Sequence, residues 1–284
     1  IEFEAQYDVI RKKNWNWSVG FNLSHNKNML RKTYNGEDLN DKVLGRPVYG
    51  IYTFKDEGIV QKEEDIPMYP NASGKQIPLY FQSINNPLRV GGRKIKDQNY
   101  DGVIDDKDLY YAGSTLPAVY GGLNSHLEWK GLSFDVLFSY TISRKVMNMY
   151  KNSAFTFTKD FGVIMNYFHA NDFWTTSNRD AKYPSLEFAD KDYVGQFDGN
   201  VDSNIENISF LRLKQLVIGY QLPKNWLKGS FIKDANIYLS GENLFLITNY
   251  SGVDPEVINP YSGKDDGTQY PLNRKVTLGL NLKF

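Results

Sequence analysis

The chain has 284 residues, with 33 Lys and Arg balanced by 33 Asp and Glu and no cysteine. The neutral balance argues against a nucleic-acid partner, which leaves a basic footprint, and the lack of cysteine excludes a disulfide-stapled domain or a Cys-ligated zinc site. No apolar run is long enough for a transmembrane helix; yet the mean hydropathy of −0.51 is compatible with a barrel, whose lumenal polar residues cancel its lipid-facing ones.

The strands declare themselves by a side-chain period of two. Ile1, Phe3, Ala5, Tyr7 and Val9 alternate with Glu2, Glu4, Gln6 and Asp8, so a first strand runs from Ile1 to about Ile10. Residue 1 already lies inside a strand, as expected of a piece of a longer protein. A second follows from Trp15, with Trp15, Trp17, Val19, Phe21 and Leu23 opposed to Asn16, Ser18, Gly20, Asn22 and Ser24. The third runs from about Tyr120 to Trp129. The fourth sets Phe134, Val136, Phe138, Tyr140 and Ile142 against Asp135, Leu137, Ser139 and Thr141. The fifth spans about Ile208–Leu222, the sixth about Ala235–Ile247, and the seventh ends on Val276, Leu278, Leu280, Leu282 and Phe284.

In the fifth, Leu211 and Leu213 have one parity and Leu216, Ile218 and Tyr220 the other. Either a one-residue bulge near Lys214–Gln215 restores a common face, or Leu211 and Leu213 point inward.

Each strand is about ten residues long, enough to cross a bilayer when tilted. The links alternate: short at 11–14, 130–132 and 223–233, long at about 29–118, 144–207 and 248–274. That alternation is expected of an outer-membrane barrel with periplasmic turns and extracellular loops. The expected fold is all-β, an antiparallel transmembrane β-barrel of which these are some of the strands. The aromatic content of 15% suits interface girdles or a sugar-binding surface.

The sharpest local motif is Asp97-Gln98-Asn99-Tyr100-Asp101-Gly102-Val103-Ile104-Asp105-Asp106-Lys107-Asp108. It fits the calcium-loop template, with side-chain oxygens from Asp97, Asn99, Asp101, Asp105 and Asp108, a carbonyl from Val103, and Gly102 at the sharp turn. The expected ion is a structural Ca2+. Asp108 stands where the template has Glu, which shortens its reach, and no EF-hand helices flank the loop. A solvated acidic turn is the alternative.

Catalytic signals are weak. His25, His126 and His169 are isolated, and there is no G-x-S-x-G elbow and no P-loop. No enzyme is expected. Aromatics in the long loops, Tyr167, Phe173, Trp174 and Tyr183, either contact a substrate or lid, or pack the loops internally.

Several motifs together resemble the C-terminal part of SusC/RagA-type TonB-dependent outer-membrane transporters. The acidic loop is followed by Gly113-Ser114-Thr115-Leu116-Pro117 and Gly121-Gly122-Leu123-Asn124. Phe173-Trp174-Thr175 comes with Ala181-Lys182-Tyr183-Pro184, and Ser209-Phe210-Leu211-Arg212-Leu213-Lys214 with Gly219-Tyr220-Gln221-Leu222-Pro223. Gly241-Glu242-Asn243-Leu244-Phe245, Tyr250-Ser251-Gly252-Val253-Asp254-Pro255-Glu256 and the closing strand complete the set. The matches cover most of 90–284; residues 1–89 match more loosely.

The resemblance implies a barrel of about 22 strands around a plug. It also implies import of an oligosaccharide or peptide, TonB acting through an N-terminal region outside this sequence, and a SusD-like surface lipoprotein as lid. Membrane lipid and lipopolysaccharide would surround it in the Gram-negative outer membrane. A plugged-barrel receptor for a metal chelate or vitamin, or a secreted calcium-bound carbohydrate-binding β-domain, are the alternatives.

Overall fold

The computed structural model describes residues 1–38, 42–149, 169–189 and 200–284. Seven long strands dominate it: β1 (Glu2–Lys12), β2 (Trp15–Ser24), β3 (Val119–Trp129), β4 (Leu132–Asn148), β5 (Ile205–Gln221), β6 (Asp234–Glu242) and β7 (Lys275–Lys283). Each pairs antiparallel with the next in chain order. The outer edges of β1 and β7 carry no strand partner among the described residues. The sheet is therefore an open sector of barrel wall.

Register fixes the two faces, because residues directly opposite each other share one. One row runs Trp15, Trp129, Leu132, Tyr220, Ile237 and Leu280; another runs Phe21, Leu123, Phe138 and Leu213. The alternating apolar residues of the paired strands fall on this face, except Val9, the extra residue of a bulge in β1 after which Ile10 opposes Trp17. The face stays open to the surroundings, with Leu278 75% and Leu280 58% exposed. A water-soluble sandwich would bury such a face, whereas a membrane strand presents it to lipid. The polar residue Ser125, stranded on this face, is satisfied by the Trp17 indole N–H at 3.0 Å.

The links follow the expected alternation. β1 and β2 are joined by Lys13–Asn14, and β3 and β4 by Lys130–Gly131, whose φ values of 49° and 89° are those of a tight type I′ hairpin. The third short link contains a single 3₁₀ turn, Lys224–Leu227. All three lie at one end of the wall, where Trp15 and Trp129 pair across strands. The described parts of the long connections, within 25–118, 169–204 and 243–274, lie at the other end.

β5 carries the bulge. Leu137 opposes Gln215 and Phe138 opposes Leu213, so Lys214 is the extra residue, and Leu211 and Leu213 rejoin the lipid face. Two boundaries differ from the sequence reading. β4 continues to Asn148 after a break at Ser143, whose φ of 55° interrupts the alternation. The sixth strand stops at Glu242, because Asn243 turns with φ 51°, and Leu246–Thr248 pairs separately with β5. β4 also outruns β3, whose last pair is Val119 with Ile142; the edge it leaves is taken by Lys264–Asp265, parallel to Met147–Asn148.

Candidate functional site

The described residues of the long connections fold into a body at the far end of the wall. The first loop contributes short ribbons, among them Gly50–Thr53 with Tyr110–Ser114 and Asp56–Ile59 with Arg93–Ile95. Between them lies a core of Val60, Ile66, Leu79, Phe81, Leu88, Ile95 and Ile104, completed by Val201 from the second loop. Loops usually lack a core; this one is long enough to bury its own.

Asp202 joins the first two loops. Its carboxylate accepts hydrogen bonds from the Asp56 N–H at 2.9 Å, the Lys55 ammonium at 2.6 Å and the Tyr110 hydroxyl at 2.8 Å. Beside it, Arg93 and Asp56 form a buried ion pair, and Ser203 donates to Asp56 at 2.6 Å. Burial alone would raise the Asp202 carboxyl, but the Lys55, Asp56 and Tyr110 donors outweigh it and hold it below the ordinary carboxylate range. Burial, with the Asp202 pairing, pushes the Tyr110 hydroxyl up to about 12.

A carboxyl with a depressed folded pKa stabilises the junction above its unfolded pKa, about 3.9, and loses that contribution as pH falls through the folded value. The loop body is therefore expected to loosen below about pH 4, as faster amide exchange at residues 54–56 and 200–204. Asp202→Asn should show that faster exchange already at pH 7 and lose the acid dependence.

The acidic loop folds tightly. Asp97 is 5% exposed and Asp108 is fully buried. Asp97 accepts from the N–H groups of Tyr100 at 2.7 Å and Gly102 at 2.9 Å; Asp108 accepts from Gln98 at 2.7 Å and Asp105 at 2.9 Å. Asn99 accepts from Asp101, Asp101 from Val103, and Asp105 from Lys107. Gly102, with φ +82°, sits under the Tyr69 ring, where a Cβ would come within 2.9 Å. Burial, with a hydrogen bond to Asp97, pushes the Tyr69 hydroxyl up to about 12, and burial likewise raises the Asp108 carboxyl despite its N–H donors.

The donors are thus all oxygens in template order, but the side chains brace the loop's own amides. The cation among them is Lys107, 3.8 Å from Asp101 and 3.5 Å from Asp105. Among the described residues, no three acidic or histidine side chains converge as a metal-holding group.

The loop aromatics take the packing role. Phe173, Trp174 and Tyr183 are 3%, 6% and 8% exposed. Phe173 and Tyr183 lie 5.8 Å apart, centroid to centroid, and the Trp174 indole donates to Gln61 at 3.0 Å. The Trp174 ring covers Gly91, which has φ +85° and would meet the ring at 2.6 Å if it carried a Cβ. Trp174 ties the second loop to the first, Phe173 and Tyr183 pack within the second loop, and all three are buried; Tyr167 lies outside the described residues. The sequence reading missed the Asp202 junction, because a single Asp in a loop carries no periodic signal.

On the inner wall, His126 pairs with Asp135 at 2.5 Å and lies 3.5 Å from Glu128. The pairing satisfies the imidazole as a structural polar group.

A meander of membrane-length strands, an open apolar face, and turns and loops segregated to opposite ends define a sector of an outer-membrane β-barrel. No protein-family profile matches the chain. Along its whole length it is 29% identical to the TonB-dependent receptor P26 of Formosa agariphila and 25% identical to the TonB-dependent receptor SusC of Bacteroides thetaiotaomicron, covering 28% and 26% of those proteins. The solved RagAB peptide transporter superposes on it with a TM-score of 0.68 at 22% identity, over 100% of this chain and 29% of that one, which shows a shared fold. The RagAB importer in its open-open state gives 0.66 at 24% identity, over 100% and 28%. The chain is thus similar along its whole length to part of TonB-dependent receptors and shares the fold of the RagAB barrel, and it spans less than a third of the curated relatives it matches.

Proposed function

We propose that the chain is the C-terminal portion of the barrel of an outer-membrane active importer, taking up an oligosaccharide or peptide with TonB and a SusD-like surface lipoprotein. The observation that carries this reading is the wall itself: one face open to lipid, and a folded loop body confined to the end opposite the short turns. Such a body can shape an extracellular mouth and present a docking rim to a lid. The similarity to receptors named TonB-dependent supports energised uptake. The test is a strain carrying the whole receptor with its loop body replaced by short linkers. Loss of uptake of a labelled glycan or peptide mixture, with the barrel still assembled, is expected. Unchanged uptake would refute the reading.

Calcium belongs to the same proposal. The support is the oxygen-only donor set Asp97, Asn99, Asp101, Val103, Asp105 and Asp108 in template order; binding requires Lys107 to leave Asp101 and Asp105. Extracellular calcium sites work at roughly 10⁻⁴–10⁻³ M. Millimolar calcium should therefore raise the melting temperature of the purified receptor, and Asp101→Asn should abolish the shift. The same melting curve in calcium and in chelator would leave the loop as a self-braced acidic turn.

A further inference from the structure

The inner face of the wall is covered at the mouth. On β5 the lumenal residues are Ile208, Phe210 and Arg212, and on β4, past the break at Ser143, they are Arg144 and Val146. A polar lumen would leave them wet, yet their exposures run from 0% for Val146 and Ile208 to 9% for Phe210. What covers them is the third long loop, whose Tyr250 and Ile258 pack with Val146 and Ile208 into one buried cluster.

Two arginines from adjacent strands grip this loop. Arg212 pairs with Asp254 at 2.5 Å and Glu256 at 2.6 Å, and Lys214, the bulge residue, also pairs with Glu256. Asp254 accepts in addition from the N–H of Leu272 at 3.1 Å, so the same carboxylate holds both flanks of the loop. Arg144 donates to the carbonyls of Thr115, at 3.0 Å, and of Pro255, Ile258 and Asn259, at 3.3–3.4 Å. Further along, Met147 donates to Gly263 at 2.7 Å and Tyr250 to Asp265. A loop held by paired buried charges, carbonyl clamps and an added strand has lost the freedom a lid needs, since removing one member of a buried pair strands the other.

We propose that the 249–272 segment is a fixed inward constriction of the barrel mouth, pinned by Arg212 and Arg144, and that it sets which substrates pass. This rests on the import reading above. The bulge has a role here: with Lys214 inserted, β5 points both Lys214 and Gln215 away from lipid, and Lys214 adds a second cation opposite Glu256.

The test uses the whole receptor in proteoliposomes and intact cells. A nitroxide on Ser262→Cys reports loop mobility, and Lys214→Cys with Glu256→Cys, bridged by a short bis-maleimide, locks the loop. An immobile nitroxide spectrum is expected in the parent and a mobile one in Arg212→Gln, with the larger members of a graded oligosaccharide or peptide ladder entering Arg212→Gln several-fold faster. The locked receptor, its pin restored by the cross-link, should import the ladder with the parent's size preference. A mobile parent spectrum, a locked receptor that no longer imports, or an unchanged size preference in Arg212→Gln would overturn the proposal. If Arg212→Gln fails to assemble, Glu256→Gln carries the same readouts. A parent receptor that imports no member of the ladder would refute the import reading, while the nitroxide still decides the pin.

Discussion

Val136→Arg should destabilise the membrane-embedded barrel by about 2–4 kcal/mol, whereas Leu137→Arg, one residue along the same strand, should cost far less. Both are aliphatic, so composition treats them alike; only the face differs. Val136 opposes Ser125 on β3 and Leu216 on β5, both on the lipid side, near the middle of the wall. Leu137 opposes Asn124 and Gln215 and is 42% exposed toward the lumen. An arginine at Val136 must either desolvate or drag water into the bilayer; at Leu137 it meets a polar interior. Reversible unfolding of the whole receptor in lipid vesicles gives the difference directly. Equal losses at the two sites would mean that the sheet does not separate lipid from lumen.

Leu79→Ala should cost about 2–5 kcal/mol, the usual range for emptying a buried leucine site, and the loss should stay in the loop body. Leu79 is fully buried in the cluster with Phe81, Leu88, Ile95 and Ile104. Its backbone is paired too, donating to Pro67 and accepting from Leu88. The wall strands draw their stability from their own ladders and from lipid, so the two parts should come apart. Hydrogen exchange is expected to rise across 60–104 and remain slow in β3 and β4. A uniform rise would show that body and wall unfold as one unit.

The wall was legible in the sequence because alternation is a local signal, and membrane strands repeat it for ten residues or so without interruption. The change of parity between Leu213 and Leu216 was visible too, but it fitted a bulge or inward-pointing leucines equally until the register made Lys214 the extra residue. Alternation failed where a single residue left the strand conformation. Ser143, with φ 55°, hides the last turn of β4, and Asn243, with φ 51°, splits the sixth strand. The loop body was not legible, since its core joins residues as distant as Val60 and Val201 with no period to betray them.

The candidate site was legible in its chemistry and less so in its geometry. The acidic loop stands where its template put it, with Gly102 at the turn, yet nothing local foretold that Asp97 and Asp108 would be spent on backbone amides. Phe173, Trp174 and Tyr183 look identical in sequence whether they greet a ligand or fill a core. Nothing local to Arg144 or Arg212 announces the third loop that lies over them.

The most direct measurement is oxygen accessibility of nitroxides placed singly along β4 and β5 of the whole receptor in bilayers. Accessibility should alternate with period two, high at Leu132, Phe134, Val136 and Tyr140 and low at Ser133, Asp135, Leu137 and Ser139. Along β5 it should be high at Leu211, Leu216 and Ile218, with the phase slipping by one residue at Lys214. Accessibility without a period of two, or a β5 pattern that runs through Lys214 unbroken, would contradict the barrel-wall account.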